Sequence, residues 1–295
     1  MSSEVESLRD DKTRAFEVRK FCSIHAGADE HLIEFWEFGE ADAPLVSIII
    51  PLYNCERYLA ETLDSIVSQS LSSWEAILVD DCSSDGSLEI ALQFSERDHR
   101  FVVLRNDCNR GAAFSRNRAL AAACGRFIAY LDSDDYWKKE KLERQITFMT
   151  ENRFGACMTS YETVNEDGSF RNIVHIDERL DYKKISEKNL PPARTRSCSI
   201  PSSSIKKALV MPDIRKRQDA ATWLQVIKLY GCLHGFDEVL AANRKRSDSL
   251  SANKVSAVKG TWFLYTEIEG LSKPYAGYCL FWQMFHAVLK RIGKR

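Results

Sequence analysis

Several features that mark particular classes of protein are missing from this chain of 295 residues. It contains no run of about 18 uncharged apolar residues, so we expect no membrane-spanning helix. The polar, acidic N-terminus lacks the apolar segment of a secretory signal peptide. The nine cysteines include no Cys-x-x-Cys pair, which argues against a zinc ribbon or a thioredoxin-like redox site. These absences predict a cytoplasmic protein with reduced thiols.

The chain also lacks a strong charge of either sign, since its formal net charge is −1. No overall field would attract nucleic acid, and we expect no nucleic-acid partner. With 44% hydrophobic and 28% charged residues, the composition is typical of a folded globular protein. The length suits one large α/β domain with a C-terminal extension, or two small domains.

Short apolar runs alternate with helical patterns from Leu45 onward. Buried strands are predicted at residues 45–50, 76–79, 102–104 and 127–131. Apolar residues at helical spacing follow each of these runs. This alternation predicts a doubly wound, mostly parallel sheet, whose strand carboxyl ends meet at one edge where ligands bind.

The second half of the sequence is less regular. We predict a turn at residues 165–169 between two strands, a long surface loop at 180–200 and a strand at 235–241. Trp223 begins an apolar stripe at helical spacing, and the tail from Gly260 is rich in aromatic residues and is also predicted to be helical.

An acidic cluster follows the fourth predicted strand, where Asp132, Asp134 and Asp135 fall within four residues. Three adjacent carboxylates repel one another, and a divalent cation, Mn²⁺ or Mg²⁺, that holds a substrate diphosphate would offset the repulsion. In an extended segment Asp132 and Asp134 point to the same side, so one can meet a sugar nucleotide and the other the metal. The structural alternative is a solvated turn that caps the next helix. The position at the ligand edge favours the metal.

A second acidic loop, residues 80–86, follows the second strand. A calcium loop that starts at Asp81 would need Glu at its twelfth position, where Leu92 stands, so calcium is disfavoured. We predict a turn in which a carboxylate accepts an N–H of a nucleotide base, with Ser83 or Asp85 capping the next helix. A capping turn alone is the alternative.

Two further residues carry a functional and a structural interpretation side by side. Arg116, on the helix after Gly111, is a candidate for reaching a phosphate, or for pairing with a carboxylate at the sheet edge, or for a surface position. Asp219, at the start of the Trp223 helix, is a candidate general base or a helix cap. The residues alone do not select Asp219 over the other acids.

Four segments together resemble the signature of glycosyltransferase family two. They are residues 46–54 (Val-Ser-Ile-Ile-Ile-Pro-Leu-Tyr-Asn), 79–86 (Val-Asp-Asp-Cys-Ser-Ser-Asp-Gly), 109–117 (beginning Asn-Arg-Gly and ending Arg-Asn) and 130–138 (Tyr-Leu-Asp-Ser-Asp-Asp-Tyr-Trp-Lys). They occur in the family's order and spacing, and the close match covers roughly residues 45–165. The resemblance implies an α/β fold of the GT-A type, with a doubly wound, mostly parallel sheet and a helical C-terminal extension.

The resemblance also implies a catalytic domain at 45–255 and a set of donor-binding residues. The parts that flank this domain, a helical extension at 1–44 and an amphipathic helical tail at 256–295, are predicted from their own apolar patterns. Within this domain, residues 45–165 would bind the nucleotide sugar and 166–255 the acceptor. The donor-binding residues would be Pro51, Tyr53, Asn54, Glu56, Asp81, Arg116 and Asp132. Among them, Asp81 would bind the base, which we expect to be uracil.

The implied mechanism is a single in-line displacement with inversion, from a nucleotide diphosphate donor such as a UDP-sugar to a hydroxyl of a glycan or lipid-linked acceptor. Asp134 would bind the metal, and Asp219 would be the catalytic base. Two positions depart from the family pattern, because Gln218 replaces the usual Glu and Asn243 the usual Tyr. A later family element, commonly Ser-Leu-Ser, matches residues 249–251.

The C-terminal tail has one apolar helical face and a basic end. The face comprises Tyr278, Phe281, Trp282, Phe285, Val288 and Ile292, and the basic end comprises Lys290, Arg291, Lys294 and Arg295. This pattern is typical of an interfacial helix on an anionic membrane, and equally of a helix folded against the catalytic domain. The predicted location is therefore cytoplasmic, either free or peripheral on the cytoplasmic membrane face.

Two other functions compete with a transferase. A non-catalytic nucleotide- or carbohydrate-binding module derived from the same fold is disfavoured by the retained acids, whereas Gln218 and Asn243 speak for it. A sugar-nucleotide pyrophosphorylase would carry a glycine-rich basic loop after the first strand, and residues 52–57 contain no glycine.

Overall fold

The computed structural model describes residues 43–188, 196–199, 203–214, 217–246 and 254–292. The predicted N-terminal helices, the Ser-Leu-Ser element and the last two basic residues lie outside this range. The elements in chain order are β1 (Val46–Leu52), α1 (Glu56–Val67), β2 (Trp74–Asp80), α2 (Ser87–Arg97), β3 (Phe101–Arg105), α3 (Ala112–Ala122), β4 (Phe127–Tyr130), β5 (Tyr136–Trp137), α4 (Lys141–Glu151), β6 (Ala156–Val164), β7 (Phe170–Val174), β8 (Arg179–Asp181), α5 (Tyr182–Lys188), β9 (Arg196–Ser199), α6 (Ser203–Ala208), α7 (Gln218–Tyr230), β10 (Cys232–Arg244), α8 (Lys254–Phe263), a π-helical turn (Leu264–Ile268) and α9 (Lys273–Ile292).

The strands form one sheet in the order β3-β2-β1-β4-β9-β6-β10-β5, with β7 beside β6 and β8 beside β10. The first four strands are parallel and each is followed by a helix or a turn that leads to one, as the alternation predicts. Strands β1 and β2 are buried along their length apart from the half-buried Pro51, because helices cover both faces of the sheet. Their carboxyl ends therefore lie side by side at one edge.

The second half of the sheet mixes parallel and antiparallel pairs. Strand β9 runs antiparallel between β4 and β6, and β5 runs antiparallel to the end of β10. The prediction of a loop across residues 180–200 is wrong in part, since this stretch contains α5 and β9. Strand β9 reads Arg-Ser-Cys-Ser and has no apolar run, and it is held by pairing on both of its edges. The predicted turn at 165–169 lies between β6 and β7, as expected.

The C-terminal helices are attached to the body of the protein through a buried carboxylate. The side chain of Glu269, which follows the π-helical turn, has no exposed surface. It accepts hydrogen bonds from Tyr182 Oη (2.5 Å) on α5 and Gln225 Nε2 (3.0 Å) on α7, and it pairs with Lys228 Nζ (2.9 Å) on α7. No helix within the described residues is long and apolar enough to cross a bilayer.

Candidate active site at the strand ends

The acidic turn after β4 brings three carboxylates together. Oxygens of Asp132, Asp134 and Asp135 lie within 4.8 Å of one another, and no other such group of three His, Cys, Asp or Glu side chains occurs in the described part of the chain. Asp132 and Asp134 are half-buried, whereas Asp135 is buried. Such proximity is electrostatically costly unless positive charge or hydrogen bonds compensate it. The residues that contact the three carboxylates show how the negative charge of each one is compensated.

Two arginines balance the two half-buried acids. Arg116, itself nearly buried, places Nη2 at 2.6 Å from Oδ1 of Asp132. Of the interpretations open for Arg116, the structure thus places it against a carboxylate at the sheet edge. Arg246, just beyond β10, places Nη1 at 3.6 Å from Oδ2 of Asp134. Positive charge therefore reaches the cluster from α3 on one side and from the end of β10 on the other.

Asp135 is held by the neighbouring strand. Its Oδ1 accepts a hydrogen bond from the backbone N of Arg244 (2.9 Å), and its Oδ2 accepts one from Asn243 Nδ2 (3.1 Å). Only 2% of Asp135 is exposed. These contacts join the acidic turn to β10, and they indicate a structural role for this third acid.

Replacing Asp135 with asparagine is expected to lower the free energy of unfolding by about 1–3 kcal/mol, because the amide keeps one acceptor oxygen and puts its NH2 group opposite the donor of either Asn243 or Arg244. Urea denaturation followed by circular dichroism measures the change. Asp64→Asn, on the exposed side of α1, is the control and should shift stability by less than about 0.5 kcal/mol. Equal stability of the two variants would contradict the structural role of Asp135.

The backbone of the acidic turn is fixed by two further side chains. Arg244 is almost fully buried, and its Nε donates to the carbonyl oxygen of Asp134 (3.1 Å), while its guanidinium also pairs with Glu61. Thr62 on α1 places its hydroxyl 2.8 Å from the carbonyl oxygen of Asp135. The turn is therefore pre-organised from both α1 and β10, which favours a binding role over a solvated surface turn.

The loops after β1 and β2 brace each other through reciprocal hydrogen bonds. Asn54, at φ +46°, accepts from the backbone N of Ser84 (2.9 Å), and its own backbone N donates to Ser83 Oγ (3.1 Å). Glu56 accepts from the backbone N of Gly86 (2.6 Å), and a Cβ on that glycine would lie only 2.9 Å from the same carboxylate oxygen. Asn54 and Glu56, two predicted donor-binding residues that follow β1, thus support the loop after β2 directly.

Asp85, just before α2, adds further hydrogen bonds between the same two loops. Its carboxylate accepts from the backbone N of Glu56 (3.1 Å) and of Ser87 (3.0 Å), so it is Asp85 rather than Ser83 that meets the first turn of the helix. Burial would raise the pKa of the Asp85 carboxyl, but hydrogen bonds from Ser87 and from the backbone outweigh it and leave that pKa below its ordinary value. The carboxylate therefore stays ionised and keeps accepting at neutral pH.

Asp81 is buried beneath these loops with its carboxylate largely occupied. Oδ1 accepts from Asn106 Nδ2 (2.7 Å) and from the backbone N of Arg110 (2.8 Å), and Oδ2 accepts from the backbone N of Gly111 (2.7 Å). Gly111 has φ +88°, a conformation that suits glycine and aims its N–H at the acid. A carboxylate has about four acceptor positions, so roughly one remains for a ligand.

The remaining predicted residues lie at or near the same edge. Pro51 is the penultimate residue of β1, and Tyr53, just past the strand, is 52% exposed. Asp219 is half-buried in the first turn of α7. One turn further along this helix, the ring of Trp223 packs on Tyr130 at the end of β4, with 6.0 Å between ring centroids. This aromatic pair packs α7, the helix that begins with Asp219, against the end of β4.

Sequence reasoning missed Arg246 and Asn106 as site residues. Arg246 follows Arg244 by two positions. Side chains two residues apart in an extended segment project to the same side, and this spacing could have indicated that Arg246 faces the acidic turn as Arg244 does. Asn106 stands at the end of β3 on the same sheet edge as Asp81, but nothing in its local sequence marks it.

The donor set of the acidic turn fits a small divalent cation. Mg²⁺ and Mn²⁺ prefer oxygen ligands, and two oxygens that share one such ion lie at most about 4.2 Å apart. Carboxylate oxygens within 4.8 Å can reach this spacing by small side-chain rotations. Since Asp135 is engaged by β10, Asp134 and Asp132 are the residues that would hold the ion and the group bound to it.

Comparison with known proteins identifies relatives across most of the chain. The sequence profile described as Glycosyl transferase family 2 matches residues 47–209. A putative teichuronic acid biosynthesis glycosyltransferase, TuaG of Bacillus subtilis, is 40% identical over 84% of this chain and 98% of its own length. An Escherichia coli protein named UDP-Glc:alpha-D-GlcNAc-diphosphoundecaprenol beta-1,3-glucosyltransferase WfgD is 33% identical over 75% of this chain and 85% of its own.

Solved structures with the same fold also match. Residues 1–349 of S. aureus TarS, in complex with UDP-GlcNAc, align with a TM-score of 0.63 and 23% identity, covering 81% of this chain and 71% of that TarS fragment. The mannosyltransferase PcManGT from Pyrobaculum calidifontis, in complex with GDP-Man and Mn²⁺, aligns with a TM-score of 0.60 and 16% identity, covering 84% and 74%.

The parallel α/β sheet and the acidic turn at its carboxyl edge, taken with these matches, define a glycosyltransferase of the GT-A fold. The chain belongs to glycosyl transferase family 2, since the profile covers more than half of it and the relatives exceed 30% identity over more than two thirds. The family and fold predicted from the four sequence segments are thereby confirmed.

Proposed function

We propose that this chain transfers a sugar from a UDP-sugar to a hydroxyl of a glycan or lipid-linked acceptor, with inversion and with Mn²⁺ or Mg²⁺ as cofactor. The observation that carries the proposal is the carboxylate cluster after β4, pre-organised by Arg244 and Thr62. The UDP-GlcNAc bound by TarS and the Mn²⁺ bound by PcManGT support the donor and the cation. The name of WfgD, which specifies a diphosphoundecaprenol substrate, supports the acceptor class.

In this proposal the loops after β1 and β2 bind the nucleotide. Uracil would donate its ring N–H to the position left on Asp81, and the exposed ring of Tyr53 would cover the base. Pro51, Asn54 and Glu56 would shape the pocket wall, and the hydrogen bonds of Asn54 and Glu56 to residues 83–86 keep that wall in place.

Asp134 would hold the cation and Asp132 the sugar nucleotide, with Arg116 fixing the orientation of Asp132. The cation, when bound, neutralises charge on the departing diphosphate. Arg246 lies close enough to Asp134 to add a second positive charge beside the same phosphates. Asp219 would take the proton of the attacking hydroxyl, and because the displacement is direct, no separate nucleophile is needed. A lipid-linked acceptor would be reached from the cytoplasmic face of a membrane.

A screen of nucleotide sugars tests the proposal. In the presence of Mn²⁺, UDP and at least one UDP-sugar should raise the melting temperature of the protein, by several degrees when the ligand is near 100 times its Kd. The same UDP-sugar should be slowly hydrolysed in a metal-dependent manner. Stabilisation without any turnover, with or without added acceptors, would favour the non-catalytic binding module instead. No response to any nucleotide sugar with Mn²⁺ would refute both functions.

A further inference from the structure

Helix α9 presents an aromatic surface on the side away from the catalytic domain. We define the aromatic face as Tyr275, Tyr278, Phe281, Trp282 and Phe285, which recur at helical spacing. Phe281 is 61% exposed, and Tyr275, Tyr278 and Phe285 are each exposed by 38–45%. Their rings contact one another in a continuous row, with centroids 5.5–6.2 Å apart. Large aromatic side chains in such a row mark an interaction surface.

The opposite side of α9 is fixed to the protein. Ala276 and Cys279 are fully buried, and Gln283 Nε2 donates to the carbonyl oxygen of Ser186 on α5 (2.8 Å). The Glu269 carboxylate then ties the preceding turn to α7, the helix that begins with Asp219. The aromatic face is therefore rigidly oriented relative to the helix that carries the proposed catalytic base.

The two C-terminal helices carry charge of one sign in their sequences. Helices α8 and α9 contain four lysines and one arginine and no Asp or Glu, and of these basic side chains the structure describes Lys259 and Lys273, which are both exposed. Between them, Glu267 is exposed, whereas Glu269 is buried and paired with Lys228. A surface of Tyr, Trp and Phe beside basic residues matches the interface of an anionic bilayer, where aromatic rings sit at headgroup level and cations meet lipid phosphates.

We propose that the aromatic face of α9 docks this protein on the surface of a membrane that contains anionic lipids. The docking surface does not depend on the proposed chemistry; its use in reaching a lipid-linked acceptor rests on the proposed function.

A second copy of the chain fits this face less well. A two-fold dimer along α9 would bring the two acid-free helices together, and their basic residues would repel one another.

Co-sedimentation with vesicles tests the docking surface on the full-length chain. Vesicles of phosphatidylglycerol with phosphatidylcholine should bind the protein, binding should weaken at high salt, and vesicles of phosphatidylcholine alone should bind much less. Phe281→Ser combined with Phe285→Ser should reduce the partition coefficient at least about tenfold, because two rings no longer enter the interface. Phe170→Ser is the matched control, since Phe170 on β7 is also 61% exposed, and it should bind as the wild type does.

Several outcomes would overturn the proposal. These are no binding of the wild type to anionic vesicles, equal binding to phosphatidylcholine alone, or a double variant that binds like the Phe170→Ser control. If a second copy of the chain or residues 1–42 occupied the aromatic face, the vesicles would not bind, and this result would also count against the proposal. Circular dichroism and Mn²⁺-dependent binding of UDP, measured on the same samples, report separately on folding and on the proposed function. If the wild type bound vesicles but did not bind UDP in the presence of Mn²⁺, the proposed function would be refuted and the docking result would stand.

Discussion

Asp134→Asn is expected to reduce transfer by roughly 10³-fold or more while the protein stays folded. The substitution removes the carboxylate that would hold the cation, and the cation supplies several kcal/mol of transition-state stabilisation at the departing diphosphate. The turn itself should persist, because Arg244 holds the backbone oxygen of Asp134 and not its side chain. Steady-state release of UDP, measured across a range of Mn²⁺ and Mg²⁺ concentrations, gives the effect on kcat/KM.

Two controls make this result specific. Chelation of divalent cations should abolish activity of the wild type, and added Mn²⁺ or Mg²⁺ should restore it. Asp64→Asn, the exposed acid on α1, should leave kcat/KM within about twofold. Transfer that persists after chelation, or an Asp134→Asn variant with near wild-type activity, would show that the acidic turn does not serve a metal.

Asp219→Asn is expected to lower kcat by about 10²–10⁴-fold and to leave binding of Mn²⁺ and UDP unchanged. The amide cannot accept the proton of an acceptor hydroxyl, and it stands on α7, whereas the residues that would bind the nucleotide and the cation follow β1, β2 and β4. The effect on UDP binding therefore distinguishes the two variants. Asp134→Asn should weaken both transfer and nucleotide binding, whereas Asp219→Asn should weaken transfer alone. Single-turnover kinetics together with calorimetry of UDP and Mn²⁺ measure the two quantities.

The alternative role of Asp219 at the start of α7 predicts a different result. If its negative charge only complements the helix dipole, Asp219→Asn would cost about 0.3–1 kcal/mol of stability and leave kcat largely intact. Gln218→Glu restores the residue usual in the family at the preceding position, and we expect it to retain activity. Full activity of Asp219→Asn would mean that another group takes the proton.

The sequence predicts the first half of the sheet because each strand carries its own signal. The runs of β1 and β2 are apolar and contain β-branched residues, since both faces are covered, and the two acidic segments stand directly at the ends of β2 and β4. Strand β9 could not be predicted in this way. Its four residues are polar, and it exists through pairing with β4 and β6.

The same limit applies to individual site residues. Asp135 is one of three adjacent acids in the sequence, and only its contacts with Asn243 and Arg244, more than a hundred residues away, separate it from Asp134. By sequence, Arg116 is a candidate for a phosphate, a sheet-edge carboxylate or a surface position, and only the fold shows that it pairs with Asp132. Contacts between distant segments follow from the assembled sheet, and local sequence patterns carry no information about them.

The buried carboxylate of Glu269 has a consequence for protein engineering. Because it contacts both α5 and α7 from the segment between the C-terminal helices, a change in that segment alters contacts on both helices. A chimera that imports only the tail of a relative would leave Tyr182 and Lys228 facing a foreign partner. Swaps intended to change acceptor choice should therefore carry residues 182–188, 217–230 and 254–292 together.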